Sequence, residues 1–378
     1  MSAGSRWYQN EKLSVIQVAA LVIPVVATTA ALFLPRAQID FAGRDAWTVP
    51  LAGAVYGLAV CAAVVALHRR HPGKSLTLIA AEVAGPAGRI ACGLLYAWFA
   101  LFVAALTARQ MGDFFIFAML PSTPMSVTVA LMVFTAAWAL RGGPETLGRL
   151  VIPLTAVIFC TVAILIGLST GSMELDHLLP LASAPPESYL RAVIITTFPY
   201  GELIFLSWYL PHISPRRVDV RWLFGGVILA ALSLVVQLVA VIAVFGVDLV
   251  LEATAPIFEL IRFASVGTFL DRLDVFFLSG WQVAFFLKLC YLLYPAAVNL
   301  AETFRLADYR SLIYPTALIT VVLAELLFPS LRDVTSFLRG PLIPYGLLMQ
   351  GLLPLLLLIL ATLRAARRPG ERAGGDST

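Results

Sequence analysis

Charged residues are scarce in this chain. Only 13% of its 378 residues are Asp, Glu, Lys or Arg, whereas 60% are hydrophobic and the mean hydropathy is +0.90. Soluble proteins carry about 25% charged residues. The low charge excludes an ordinary soluble protein, and no loop between the apolar segments is long enough to form a separate soluble domain. Because apolar windows of helix length follow one another along the chain, we expect an all-α polytopic membrane protein surrounded by membrane lipid.

Cysteine and histidine are equally scarce. The four cysteines lie in separate apolar segments without a CxxC spacing, and the four histidines lie in loops or at the ends of expected helices. This pattern indicates neither a disulfide framework nor a metal site. The sequence contains no nucleophile–base set and no cofactor motif, so we expect neither an enzyme nor a cofactor. The basic residues follow the membrane topology, and we therefore do not expect nucleic-acid binding.

Long apolar segments, in contrast, are abundant. A helix of about 20 apolar residues crosses about 30 Å of hydrocarbon. Two stretches, 75–89 and 256–273, are too short or too charged to cross and predict interfacial amphipathic helices. The sequence predicts ten transmembrane helices, at residues 13–35, 47–67, 90–111, 124–140, 149–170, 190–211, 222–246, 274–298, 311–329 and 341–364.

The loops on the two sides of the membrane differ in positive charge. Of the 26 Lys and Arg residues, 17 fall on the side of the two termini, 8 fall on the other side, and Lys288 lies within a span. The positive-inside rule then predicts that both termini are cytoplasmic. We expect a cytoplasmic segment at 1–12, one transmembrane domain at 13–364, and a disordered cytoplasmic tail at 365–378. No A-x-A cleavage pattern precedes the first span, so we expect that span to be retained.

Ten spans divide into two halves of five, at about 13–170 and 190–364. An odd number of spans in each half inverts the second half relative to the first. Transporters with inverted repeats have this arrangement, and their ligands bind near the midplane, where helices are interrupted. The first span of each half is therefore the place to look for interruptions.

Both of these spans carry helix-breaking residues. Span one, VIPVVATTAALFLPR, contains Pro24 followed by Thr28 and Thr29, and span six, TTFPYGELIFLSWYLPH, contains Pro199 and Gly201. Proline removes an amide donor, and glycine tolerates non-helical dihedral angles. We therefore expect helices 1 and 6 to be broken, although a simple kink would leave the same pattern.

Several short stretches recur in order along the chain and together resemble the GerAB family of spore germination permeases. They are Leu34-Pro35-Arg36, Asp45-Ala46-Trp47, Pro72-Gly73-Lys74, Leu120-Pro121-Ser122-Thr123-Pro124, Phe198-Pro199-Tyr200-Gly201-Glu202, Phe269-Leu270-Asp271-Arg272-Leu273-Asp274, Phe286-Leu287-Lys288 with Tyr294, and Asp308-Tyr309-Arg310. The resemblance covers residues 12–330 and implies the amino acid–polyamine–organocation superfamily, with a five-plus-five, LeuT-like fold. In one departure, Thr28-Thr29-Ala30 stands where the family has a glycine-rich break.

The resemblance also implies a function. GerAB-like proteins are germinant-sensing subunits in the inner spore membrane, where they act with a larger membrane subunit and an exterior lipoprotein. The implied ligand is a small-molecule germinant, with an amino acid as the expected class. Two alternatives stay open, namely a proton-coupled amino-acid transporter and a structural or channel subunit without its own ligand. The departure at residues 28–30 keeps the second alternative open.

A zwitterionic amino acid needs opposite charges or dipoles at its two ends. At a broken helix, the free amides of one half can bind the carboxylate, and the free carbonyls of the other can bind the ammonium. We therefore place the carboxylate beside the expected break in span one, at Thr28, Thr29 and Ala30. The ammonium and side chain would lie beside Phe198, Pro199, Tyr200 and Gly201.

Lys288 is the strongest single oddity, because an ammonium at mid-membrane normally faces a partner or a cavity. In the related fold, span eight faces the break in span one, where sodium-coupled relatives hold a cation. Our hypothesis is that the Lys288 ammonium replaces that cation and braces the freed carbonyls of span one. Glu202 is its candidate counter-charge.

The face of span eight that points inward is open between two stripes. Cys290 and Tyr294 share one face, and Lys288 shares another with Tyr291. We favour Cys290 and Tyr294 as the lining residues. Tyr96 in span three is a lower-ranked candidate.

The exterior end of span three carries two opposite charges. Arg109 and Asp113 are four residues apart, a spacing that predicts a local ion pair or an outer gate.

Overall fold

The computed structural model describes residues 8, 11–118, 122–213, 218–253, 255–263, 273–327 and 331–367. Every regular element in this part of the chain is helical. The α-helices are α1 (Val15–Phe33), α2 (Pro35–Ala42), α3 (Val49–Arg70), α4 (Leu76–Ala118), α5 (Met125–Leu140), α6 (Pro144–Ser169), α7 (Pro186–Gly201), α8 (Val220–Glu252), α9 (Pro256–Phe263), α10 (Leu273–Phe304), α11 (Ile313–Leu326), α12 (Leu331–Arg339), α13 (Leu342–Gly346) and α14 (Leu353–Arg367). Short 3-10 helices and one π-helical turn connect some of them.

The helices follow the expected spans closely. Within the described residues, eight helical segments are long and apolar enough to cross a membrane. The spans expected at 124–140 and 311–329 are the shorter helices α5 and α11, of 16 and 14 residues. The chain is thus a multi-pass membrane protein, and the count of ten crossings remains a prediction from the sequence.

The first helix is continuous, and the break expected at Thr28-Thr29-Ala30 is absent. Pro24 lies within α1, and the Thr28 hydroxyl donates a hydrogen bond to the Pro24 carbonyl. Residues 28–30 all carry a Cβ atom, so they lack the conformational freedom that glycine would have given. A threonine that bonds the carbonyl four residues earlier is compatible with a helix and only bends it. The prediction of a broken helix 1 was wrong.

The sixth span changes its helix type without unwinding. At Gly201 the α-helix ends, and Glu202–Trp208 continues as a 3-10 helix, here called the 3-10 segment. The dihedral angles of Gly201 (φ −70°, ψ −22°) and Glu202 (φ −58°, ψ −16°) stay helical. The expected break is therefore a change of pitch. A stretch of 3-10 helix inside a longer helix often marks a hinge.

The structure describes the first predicted interfacial helix, but only parts of the second and of the predicted C-terminal tail. Residues 76–85 form the first leg of α4, which turns sharply at Gly85 (φ 71°, ψ −159°) and continues into the third span. The second interfacial stretch begins as α9, and residues 264–272 lie outside the described residues. Helix α14 continues to Arg367, so residues 365–367 of the expected disordered tail are helical. The tail from 368 to 378 also lies outside the described residues.

Helix α10 lies at the centre of the bundle. It packs against α1, α4, α5 and α6, while α1 also packs against α8, and α3 packs against α7 and α8. About four-fifths of the apolar windows of the first and eighth spans are buried inside the protein, compared with about a quarter for the fifth and tenth spans. The side chains of α1, the 3-10 segment and α10 therefore meet in the interior.

Candidate functional site

Lys288 and Glu202 form an ion pair in the protein interior. The Lys288 Nζ atom lies 2.7 Å from Oε2 and 3.0 Å from Oε1 of Glu202, and neither side chain has any exposed surface. Lys288 belongs to α10, and Glu202 is the first residue of the 3-10 segment. A buried charge that loses its partner costs about 3–5 kcal/mol, so each of these residues depends on the other.

Thr29 completes the group around the ammonium. Lys288 Nζ donates a hydrogen bond to the Thr29 hydroxyl at 2.5 Å. Lys288 thus contacts Glu202, its candidate counter-charge, but its acceptor on span one is a hydroxyl and not a freed carbonyl. The replacement of a cation by the Lys288 ammonium stays a prediction. The carbonyls of α1 stay in the continuous helix and are not free to bind a cation. We call Thr29, Glu202 and Lys288 the interior triad.

Tyr291 and Tyr209 also hold the start of the 3-10 segment. The Tyr291 hydroxyl donates to the Glu202 carbonyl at 3.1 Å, and the Tyr209 hydroxyl donates to the Tyr291 carbonyl at 3.0 Å. Their rings stack with centroids 5.1 Å apart and an interplanar angle of 6°. Sequence reasoning weighed Tyr291 only as an alternative and missed Tyr209, for which the sole signal was an aromatic cluster ahead of the final Leu-Pro of span six.

Cys290 and Tyr294, favoured as lining residues, contact other parts of the protein. The Cys290 thiol points to the Ala136 carbonyl of α5 at 3.7 Å. An α-helix turns about 100° per residue, so Cys290 lies roughly 200° around α10 from Lys288. The Tyr294 hydroxyl bonds Nε2 of His212 at 2.6 Å, at the end of the sixth span. The inward stripe of α10 at the triad is therefore Lys288 with Tyr291.

Tyr200 faces the second span. Its hydroxyl donates to the Pro50 carbonyl at 2.9 Å, and its ring lies against Gly53 and Gly57 of α3. A Cβ atom on Gly57 would approach a ring carbon of Tyr200 to 2.9 Å, so these glycines allow the close approach. Pro199 is buried within α7. Tyr200 thus anchors α7 on α3.

Phe198, Gly201 and Tyr96 gather around the tenth span. The helix there contains one π-helical turn, Leu347–Leu352, which we call the π turn. Within it, the Gln350 side-chain amide donates to the Phe198 carbonyl at 3.1 Å and packs directly on Gly201, while the Met349 carbonyl accepts a hydrogen bond from the Tyr96 hydroxyl at 2.7 Å. Single π turns occur frequently at functional sites. Gln350 was missed from the sequence, where it is a lone amide in a leucine-rich span.

Thr28 lines a small cavity between α1, α6, α8 and α10. The cavity has a volume of about 30 Å³ and is also lined by Thr161, Ser233 and Gln237. The Gln237 Oε1 atom is buried and has no hydrogen-bond partner among the described residues. The rest of the cavity wall is mostly apolar. Ala30 is buried in the packing of α1.

Tyr8 and Glu11, which precede the first span, are buried against the ends of other helices. The Tyr8 hydroxyl donates to Oε1 of Glu302 at 2.8 Å, and Ser75 donates to the other oxygen of Glu302 at 2.6 Å. His212 bonds the Glu11 carbonyl through Nδ1 at 2.9 Å. Tyr8 and Glu11 therefore close the interior at this end of the bundle.

The Glu11 side chain makes the charged contacts of this closure. Its carboxylate forms an ion pair with Arg310 and accepts hydrogen bonds from the Tyr309 hydroxyl at 3.1 and 3.2 Å. Burial raises the pKa of Glu11 above its usual value, and the charge of Arg310 opposes this shift only in part. The sequence suggested only a polar segment here.

The chain shares its fold with a solved transporter. The structure of Mhp1, a nucleobase-cation-symport-1 family transporter, in a closed conformation with bromovinylhydantoin bound, superposes with a TM-score of 0.73 over 96% of this chain and 81% of Mhp1. The two sequences are 14% identical, so the likeness concerns the fold alone. The described helices accordingly have the LeuT-like arrangement expected from the sequence.

Two relatives with similar sequences are both described as spore germination proteins. Spore germination protein KB of Bacillus subtilis (strain 168) is 26% identical over 97% of this chain and 99% of its own length. Spore germination protein XB of Bacillus anthracis is 24% identical over 85% of this chain and 89% of its own length. The model of the family described as "Spore germination protein" matches residues 12–330. Since that match covers most of the chain, this non-enzymatic membrane protein belongs to the GerAB-type family of spore germination permeases.

Proposed function

We propose that this protein is the germinant-sensing subunit of a spore germination receptor and binds an amino acid at the interior triad. The observation that carries the proposal is the buried contact of Lys288 with both Glu202 and Thr29. It joins α1, the sixth span and α10, which are the segments around the expected midplane site. A change at this contact would be felt by all three segments.

Charge balance supports an amino acid as the ligand. The Lys288–Glu202 pair is neutral as a whole, and so is a zwitterion. If a zwitterion enters between them, its carboxylate can pair with Lys288 and its ammonium with Glu202, which leaves no charge unpaired. A purely cationic or anionic ligand would leave an extra buried charge, which is costly.

The entry of a zwitterion between Lys288 and Glu202 also explains how binding could be sensed. A ligand shifts a conformational equilibrium only by binding one state better than the other. Separation of Lys288 from Glu202 would release the 3-10 segment from α10 at its first residue. We propose that this release is the signal passed to a larger membrane subunit and an exterior lipoprotein in the inner spore membrane, with both termini of this chain cytoplasmic.

The proposed site is smaller than the set of residues chosen from the sequence. It contains Thr29, Glu202 and Lys288, with Thr28, Ala30 and Pro199 beside them in the same helices, and Phe198 and Gly201 on the side of the π turn. Tyr96 supports that turn. Tyr200, Cys290 and Tyr294 fall outside it, because their side chains contact other helices.

The experiment is a thermal-shift screen of the full chain in lipid nanodiscs against the common amino acids. We expect at least one amino acid to stabilise the wild-type protein. The paired variant Lys288→Met/Glu202→Gln removes both charges together and should fold, yet lose the shift. Lys12→Met, at an exposed residue, is the matched control and should keep it. A shift that persists in the paired variant would contradict the proposed site, and no shift with any amino acid would favour a structural or channel subunit.

Transport is a second candidate function, favoured by the fold shared with Mhp1 and by the buried ionisable pair. Intramembrane ionisable residues mark substrate and proton pathways in transporters. Uptake of the stabilising amino acid into proteoliposomes, driven by a proton gradient, distinguishes the two. Net accumulation would indicate a proton-coupled transporter, and binding without accumulation would indicate a receptor.

A further inference from the structure

A second cavity lies where α1 ends and α2 begins. Its volume is about 530 Å³, within the range of about 300–1,000 Å³ that is usual for small-molecule sites. It is exterior if the termini are cytoplasmic, and we call it the outer cavity. It lies at the end of α1 opposite to Glu11, where the N-terminal segment closes the protein.

Most of the outer cavity wall is apolar. Leu32 comes from α1, Phe114 and Phe117 come from the end of α4, and Leu338 comes from α12. Phe117 is about half exposed, so part of this wall lies at the protein surface. Such a surface can bind an aliphatic or aromatic group of a small ligand.

The charged residues of the wall leave one positive charge without a partner. Asp113 is held by Arg109 through two hydrogen bonds of 2.9 and 3.0 Å, as the sequence predicted, and Arg339 pairs with Asp40 at 3.0 Å. Arg36 also lines the cavity, and no described residue forms an ion pair or side-chain hydrogen bond with it. The cavity therefore favours a negative group near Arg36.

The position of Arg36 strengthens this preference. It is the second residue of the eight-residue helix α2, whose N-cap Leu34 provides no side-chain cap. The positive end of a helix dipole favours an anion, and a guanidinium can bind a carboxylate through two parallel hydrogen bonds. Both effects act at the same edge of the cavity.

We propose that the outer cavity is a binding site for a small carboxylate with an apolar body, the carboxylate at Arg36 and the body between Phe114, Phe117 and Leu338. An ammonium group is not required, because the Asp113 carboxylate is already held by Arg109. The site thus differs from the interior triad, which needs both charges. Its relation to germinants rests on the proposed sensing function, but its existence does not.

The outer cavity also lies close to the triad along α1. Leu32 of its wall is three residues from Thr29, a distance of about 4.5 Å along the helix axis. Ile195 of α7 also lines the cavity, so the sixth span contributes to the cavity wall as well. A carboxylate bound here would be the first contact of a ligand that later reaches the triad.

The probe for this site is N-acetyl-L-leucine, which has a carboxylate and an apolar side chain but no ammonium. Its binding to the full chain in nanodiscs is measured by calorimetry, with L-leucinamide as the probe of opposite charge. We expect N-acetyl-L-leucine to bind and L-leucinamide not to bind. Arg36→Gln should weaken binding about tenfold or more, because the carboxylate loses a charged hydrogen-bond donor.

Two variants keep this test independent of the proposed function. Arg191→Gln removes another exposed arginine and should leave the affinity unchanged. Lys288→Met/Glu202→Gln should also leave it unchanged, although it abolishes the amino-acid shift. Equal affinity in wild type and Arg36→Gln would overturn the proposal, as would no binding by the wild type, even if the amino-acid shift at the triad is intact.

Discussion

The Tyr291 hydroxyl donates to the main-chain carbonyl of Glu202 at 3.1 Å, one helical turn from the lysine that pairs with the Glu202 side chain. One helix, α10, thus holds both the main chain and the side chain of a single residue. That residue is the first of the 3-10 segment, where the sixth span changes pitch. The two contacts hold Glu202 against α10 at the residue that follows Gly201.

The single variant Lys288→Met should destabilise the protein by about 3–5 kcal/mol, because it leaves the Glu202 charge buried and unpaired. Lys288→Met/Glu202→Gln should recover most of that loss, since no buried charge remains. Unfolding in detergent micelles, followed by circular dichroism, measures both. If the single and the paired variant are equally stable, the ion pair is not an energetic unit.

Tyr291→Phe should cost about 1–2 kcal/mol, because the Glu202 carbonyl loses its donor while the ring can still stack on Tyr209. The same unfolding assay applies. Tyr314→Phe is the control, since the Tyr314 side chain is 37% exposed and packs mainly through its ring. A Tyr291→Phe variant as stable as this control would contradict a structural role of the hydroxyl.

Gly201→Ala should destabilise the protein by about 1–3 kcal/mol, the usual range for overpacking. The new methyl group would collide with the side chain of Gln350 and displace it from the Phe198 carbonyl. Adding Gln350→Ala should relieve the collision and restore part of the stability. Gly225→Ala, at a helical glycine with no neighbouring atom within 4 Å, is the control and should be neutral or slightly stabilising.

Glu11 should make stability depend on pH. Its pKa in the folded protein is raised above 4.5 by burial, so the folded state keeps the proton at pH values where the unfolded state has lost it. The stabilising contribution of this group is therefore complete below pH 4.5 and declines as pH rises through the folded pKa.

The measurement is the apparent melting temperature in nanodiscs between pH 4 and 8. The apparent melting temperature of the wild type minus that of Glu11→Gln should be largest at the acidic end of this range. Glu187→Gln, which removes an exposed carboxylate paired with Arg191, should show no such trend. A difference that is flat with pH would contradict the raised pKa.

The pairing of Lys288 with Glu202 could be predicted because hydrocarbon tolerates few charges. When a span contains one ammonium and another contains one carboxylate, the cost of leaving either alone makes them partners. The scarcity of charged residues also made the spans predictable, because a run of about 20 apolar residues has few alternatives to a membrane helix. These features depend on composition along the chain and on little else.

The face that a helix turns inward could not be predicted in the same way. A helix buried on all sides has no polar stripe to mark its orientation. Cys290 and Lys288 are equally buried on α10, yet only Lys288 faces Glu202. That choice depends on the rotation of α10 against α1 and α5, which is set by packing.

The sequence by itself therefore determined the class of protein, the positions of the eight long apolar helices in the described part of the chain and the partner of its buried lysine, because each follows from the cost of polar groups in hydrocarbon. Tertiary structure alone decided which face of α10 meets Glu202, that Gln350 packs on Gly201, and that Glu11 pairs with Arg310 at one end of the bundle. Each of these depends on which neighbour supplies a hydrogen bond or fills a space, and that neighbour is distant in the chain.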